Sequence, residues 1–422
     1  MDLPRALVAA VAARNTTDVA DLLGQHPELR ARLDDPLPGL SFDGTLLLAA
    51  VSNADRPMID LLLANGASIN QRSHWWAGGF GVLDSDSGLA DFLIERGATL
   101  DLYAASRLAR IDTVTEMLRA DPSRVHGRGG DGQTPLHVAA NVDIARLLVD
   151  HGADIDARDV DHESTPAQYA IRDRTDVARF LVARGARTDL LLAAALGDLD
   201  RVRTHVETDP GSIAMTVSQR YFPMANPRAG GTIYLWTLGR NKTAHAVAGD
   251  FAHDDVYRWL MERTPPGLSL SVACEVNDEP LMSSLAAALR AGSIVLSHDE
   301  RRRIVDAAEN NDGACVRRML MAGWPAEARG NHGATALHFS AWHGDAVTVR
   351  ELLTAGPPLE ALDDYCGLTP LGWAFHGSVH GWNARRGDYG GVVRVLLDAG
   401  AKAPAGGNIE ASEAVRQALT QR

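Results

Sequence analysis

Asp161-His162-Glu163 is the densest acid–base grouping in this 422-residue sequence. Histidine titrates near neutral pH, and a neighbouring carboxylate can orient its ring, so the triplet has the parts of a general acid–base site. Asp159 extends the group. Cation binding is the second chemistry that these side-chain types allow. Alternation along an extended strand would point them to opposite sides, however, and no His-Glu-x-x-His or cysteine pair supports zinc. No metal and no cofactor is therefore expected. The same triplet also suits an ordinary turn, where Asp and other polar residues are common. Cys366 has no histidine tied to it by spacing. Residues 127–132 are glycine-rich but lack the lysine and helix start of a phosphate loop, which excludes nucleotide binding.

The elements that must position these side chains are legible because they recur. Thr134-Pro135-Leu136-His137-Val138-Ala139-Ala140 returns as Thr165-Pro166-Ala167-Gln168-Tyr169-Ala170, Thr335-Ala336-Leu337-His338-Phe339-Ser340-Ala341 and Thr369-Pro370-Leu371-Gly372-Trp373-Ala374. A second apolar stretch follows each phrase and usually ends in glycine, as in Leu147-Leu148-Val149-Asp150-His151-Gly152-Ala153. Threonine before proline opens a first helix by capping free N–H groups, and glycine closes the second. A T-P-L-H-x-A phrase in a repeat of roughly 33 residues marks an ankyrin solenoid.

The chain thus resembles the ankyrin-repeat family over nearly its whole length, and with its aromatic inserts it looks like long bacterial ankyrin-repeat proteins. The resemblance implies an all-α solenoid with ligand binding on a concave face of hairpin tips and first helices, usually with a protein ligand. It also implies that His137, His338 and His245 are structural. About twelve helix–turn–helix units are expected in one continuous array over residues 1–422. A capping helix is expected over 408–420, with Asn408 as its N-cap.

Three segments depart from the repeat. Residues 73–86 replace most of a first helix and carry His74, Trp75 and Trp76. Residues 213–240 are too long for a repeat loop, and the β-prone run Thr232-Ile233-Tyr234-Leu235-Trp236 predicts an inserted β-hairpin finger. Residues 378–389 split the last full unit and carry His380 and Trp382. Long inserts in a compact array are more often functional than accidental. The groove-facing rule, loop residues before the threonine and the two after the alanine pair, adds Trp342, His343, Tyr365 and His376.

Composition narrows the function classes. Formal charge is −13, from 54 acidic and 41 basic residues with no basic block, which excludes a phosphate-tracking, nucleic-acid-binding surface. Cys274, Cys315 and Cys366 lie far apart, as expected of a reducing, cytoplasmic setting. Residues 7–13 continue with helical periodicity and read as a repeat helix, not a targeting segment. No stretch is long enough to span a bilayer, and no membrane partner is expected.

Two readings stand. In the first, the protein recognises a polypeptide or a basic or aromatic small molecule in its groove. Trp75, Trp76, Asp159, Asp161, Trp236, Trp342, Tyr365, His380 and Trp382 would make the contacts. In the second, the finger covers the groove of an enzyme for cyclisation, isomerisation or hydrolysis. His74, His162, Glu163, Tyr221, His343 and His376 would then supply the acid–base groups.

Overall fold

The structure, a computed structural model, describes residues 2–84, 88–403 and 410–420. Asn408, the expected N-cap, and Asp86, the end of the first insert, lie outside these residues. The described elements are helices and turns, and the chain divides into two compact units. One is Met1–Leu192 with Ser218–Leu238, the other Ala193–Val217 with Gly239–Arg422.

In the first unit, short antiparallel helices pair along the chain: Leu3–Ala12 with Thr16–Gln25, Leu46–Ser52 with Arg56–Ala64, and Pro166–Ala170 with Thr175–Ala183. Polar residues start them. Asn15 accepts from Asp18 N at 3.1 Å, Asp55 from Met58 N at 3.2 Å, and Thr165 and Gln168 form a reciprocal capping box, each cap satisfying N–H groups left free by the first turn. Gly152, at φ 89°, accepts the left-handed conformation that ends the preceding helix. Leucine, isoleucine and alanine faces merge into a core running from Leu7 to Ala104. Leu7 and Val11, within the run 7–13, are buried in it.

The second unit pairs helices in the same way. First helices pack on first helices, His298–Glu309 against Ala336–His343 and that against Pro370–His380. Second helices form a matching row, with Gly313–Ala322, Ala346–Thr354 and Tyr389–Asp398 in succession. Ala336, Ala341 and Ala374 are fully buried between first helices, where a small side chain permits close approach. The last described helix, Glu413–Thr420, lies on Tyr389–Asp398 and buries Val415 and Ala418.

Two expectations about elements are corrected. The phrase beginning at Thr134 opens no full helix. It forms a turn, because Asn141 already accepts from Ile144 N at 3.0 Å and starts the next helix. The 213–240 segment contains no strand. It begins with a 3-10 turn, Pro210–Ala214, makes one isolated bridge, Thr216 with Thr243, and turns helical at Tyr234–Thr237. Burial of Tyr234, whose hydroxyl donates to Asp189 at 2.9 Å, overrides the β propensity of that run.

Candidate functional site

Residues 159–164 form a turn, not an extended strand. Asp159 is 3 % exposed and accepts from His162 N and Ser164 N, both at 2.8 Å, and from the Tyr169 hydroxyl at 3.0 Å. Its carboxylate is thus consumed in shaping the turn. The expected alternation fails for that reason: Asp161 and His162 face the same space, with Asp161 Oδ2 and His162 Nε2 3.5 Å apart. His162 donates through Nδ1 to the Gly231 carbonyl at 2.7 Å, which turns Nε2 toward Asp161.

A third carboxylate joins them from the preceding repeat loop. Asp131, at φ 56°, offers its backbone carbonyl to Val160 N at 2.8 Å and Asp161 N at 3.2 Å. One of its carboxylate oxygens accepts the Trp75 indole N–H at 3.0 Å. Burial, followed by the neighbouring Asp161 and Asp159 charges, pushes its carboxyl up to about 6, against the opposing pull of His162. Ligand-type atoms of Asp131, Asp161 and His162 lie within 4.8 Å of one another.

The inserts build the rest of this site. Residues 73–84 fold back on themselves, Ser73 N donating to Phe80 O at 2.8 Å. Gly78 makes the contact with the Asp131 loop possible: at φ 138° it sits where a Cβ would meet Gly129 O and Gly132 N at 2.7 Å. The second insert docks on the 159–164 turn. Glu163 accepts from Ala225 N at 2.9 Å and Asn226 N at 2.8 Å, Gly230 N donates to Asp161, and Ile233 N donates to Ser164 Oγ at 3.1 Å. A cavity of about 420 Å³ lies between turn and insert, lined by His162, Glu163, Tyr221, Phe222, Arg158 and Arg187 among others.

The structure therefore divides the expected site residues. His162, Glu163 and Tyr221 line one cavity, with Asp159 and Asp161 beside it. Trp75 reaches the cluster through Asp131, whereas Trp76 stacks under Arg228, whose guanidinium carbon is 4.6 Å from the ring centroid. His74 is exposed and its ring lies 3.5 Å from Gln71 Nε2. Trp236 is 72 % exposed.

The others belong to the second unit and form a ladder of rings. Trp342 lies 5.5 Å from His376, and His376 lies 4.5 Å from His380. His380 Nε2 pairs with Glu410 at 3.1 Å. Tyr365 stacks on His332 at 5.4 Å and is 79 % exposed; Trp382, 73 % exposed, stacks on His343 at 5.2 Å. His343 itself is buried and donates to the Glu309 carbonyl at 3.1 Å, and burial lowers its proton affinity. The 378–389 insert starts later than expected, since helix Pro370–His380 runs through its first residues.

Sequence reasoning missed Asp131, although it stands three residues before the repeat threonine Thr134, among the loop residues that the groove-facing rule covers. Gly231 carries no comparable signal, because its carbonyl reaches His162 only through the docking of the insert.

The profile for "Ankyrin repeats (3 copies)" matches residues 102–191. The chain is similar to mouse (Mus musculus) ankyrin repeat and SAM domain-containing protein 6, 32 % identical over 210 residues, covering 45 % of this chain and 23 % of that protein. It is also similar to the NF-kappa-B inhibitor cactus of Drosophila yakuba and of Drosophila melanogaster, 38 % identical over 80 residues in each case. That stretch covers 18 % of this chain and 16 % of cactus. The chain thus spans less than a quarter of the length of these relatives. Repeated Thr-Pro phrases, paired capped helices and these matches agree: residues 102–191 carry ankyrin repeats, and the chain is similar to ankyrin-repeat proteins.

Proposed function

We propose that this protein is a recognition module that holds a polypeptide partner on the loop-and-first-helix face of its second unit. One observation carries the reading: Trp342, His376 and His380 form a continuous ring ladder, and in the same unit Tyr365 on His332 and Trp382 on His343 are 79 % and 73 % exposed. Leu362 and Leu368 add exposed apolar surface beside Tyr365. Large exposed apolar patches mark interaction sites, and Trp and Tyr are the side chains that most often dominate interface energies. The similarity to cactus, by name an inhibitor of another protein, is in keeping with a protein partner. Asp364, Glu410 and the electron-rich ring faces favour a segment carrying Lys or Arg.

The test is a double substitution, Tyr365→Ala with Trp382→Ala, in the full chain. Partner capture from native extract, followed by affinity measurement with the purified partner, is expected to show at least a tenfold loss. Equal affinity of the double variant and the wild type overturns the reading.

A further inference from the structure

Asp161 and His162 turn ligand-type atoms toward one another. The imidazole donates through Nδ1 to the Gly231 carbonyl at 2.7 Å, which leaves Nε2 as the ring nitrogen turned to the cluster. Nε2 faces Asp161 Oδ2 at 3.5 Å. The side chains are 11 % and 8 % exposed, so water screens the two poorly. Asp161 uses Oδ1 to accept from Gly230 N, which turns Oδ2 toward His162. Asp131 adds a second carboxylate to the same space.

A charge-assisted bond between a protonated imidazole and a carboxylate would draw the atoms to about 2.8 Å. The observed 3.5 Å is closer to the edge of a coordination polyhedron. With zinc bonds of about 2.0 Å, neighbouring ligands of a tetrahedral ion stand about 3.3 Å apart. The support around the three groups is also that of a metal site. The histidine is fixed in orientation and tautomer by a backbone carbonyl, and Asp131 is held by the Trp75 indole. Asp159, bonded to His162 N, Ser164 N and Tyr169, is a positioning residue and not a ligand.

We infer that Asp131, Asp161 and His162 form a binding site for one divalent cation of the zinc class. An imidazole nitrogen with two carboxylate oxygens favours first-row transition ions over magnesium and calcium, which prefer all-oxygen sites. Three protein ligands leave a coordination position for water or for a group entering from the cavity. The ion joins the Asp131 loop to the 159–164 turn, whose His162 and Asp161 in turn hold Gly231 and Gly230 of the insert. This goes beyond partner recognition, which rests on other residues in the other unit.

The full chain, stripped with chelator and titrated calorimetrically with Zn²⁺ and separately with Mg²⁺, should take up one equivalent of zinc and no magnesium at the same concentrations. Asp131→Asn and Asp161→Asn should each weaken zinc binding tenfold or more. Zinc bound equally by wild type and both variants would place it at adventitious histidines and overturn the proposal, as would no zinc uptake. A variant-free measurement covers the case of misfolded variants. Anomalous diffraction at the zinc edge from zinc-soaked wild-type crystals should give a peak bounded by Asp131, Asp161 and His162. An empty position there in zinc-saturated crystals also overturns it.

Discussion

His137 spends both ring nitrogens inside the fold. Nδ1 accepts from Thr134 N at 3.0 Å, and Nε2 donates to the Ser164 carbonyl of the next repeat loop at 3.0 Å. His338 repeats the pattern, with Nδ1 3.1 Å from Thr335 N and Nε2 donating to the Ala361 and Leu368 carbonyls. His245 instead meets the Thr264 hydroxyl at 2.6 Å. Replacing His137 with Ala leaves Thr134 N unpaired in a dry interior and takes one of two donors from Ser164 O, which keeps Asp159 N, and should cost about 1–3 kcal/mol in chemical unfolding.

The same burial sets a pH dependence. His137 and His245 are pushed down from 6.5 to about 3 by desolvation. The unfolded chain therefore binds more protons than the folded one between those values. Their stabilisation is complete above about pH 6.5 and is lost as pH falls toward 3, at about 1.4 kcal/mol per unit for each ring. Desolvated Asp131 and Glu275, raised to about 6 and about 7, act with the opposite sign, because the fold holds their protons more tightly. Two rings set against two carboxyls roughly cancel down to about pH 4.5, so unfolding midpoints should change little between pH 7 and that point and drop steeply below about pH 4. NMR of the His137 ring should show it neutral throughout. Protonation of that ring near pH 6.5 in the folded state would contradict the assignment.

At the scale of elements, the second insert is the part that reasoning from local composition misjudged. Its β-prone run becomes a helix because Tyr234 is drawn into the core and Ile233 N finds Ser164 Oγ. The partners, Asp189 for Tyr234 and Ser164 for Ile233, lie 45 and 69 residues away in sequence, where no propensity scale can look. Glu163 is an acid–base group only under the enzyme reading. Its two carboxylate oxygens hold the insert backbone at Ala225 and Asn226. Glu163→Ala should therefore free the 218–230 stretch and leave the helices in place. Losing two charge-assisted bonds on a half-exposed group amounts to about 2 kcal/mol, or roughly a thirtyfold rise in local opening. Limited proteolysis followed by mass spectrometry should find faster cleavage there, with unchanged helical circular dichroism. Wild-type cleavage rates would mean that the carboxylate does not hold the insert.

For the whole molecule, the contacts that matter run between neighbouring helix pairs, so stability should vary along the chain instead of being one global quantity. Leu352 is fully buried in the second unit, between its own helix and the next. Leu352→Ala should cost about 2–5 kcal/mol locally. Hydrogen exchange should then accelerate in Gly313–Ala322, Ala346–Thr354 and Tyr389–Asp398 while Leu46–Ser52 and Arg56–Ala64 keep wild-type protection. A uniform loss across both units would indicate a single cooperative block. No helix among the described residues is long and apolar enough to cross a membrane.

Periodicity was enough to read most helix pairs, and the family resemblance implied the structural role of His137 and His338, because those features depend on residues within one repeat or on the neighbour beside it. Which acidic groups meet was not readable. Asp159 and Asp161 are two residues apart, yet one closes a turn and the other faces His162. That difference comes from the docked insert, the Asp131 loop and the Trp75 indole, brought together from points far apart in the chain. Local patterns encode elements because their hydrogen bonds are local; the site is made of long-range contacts, so only the packed tertiary structure decides it.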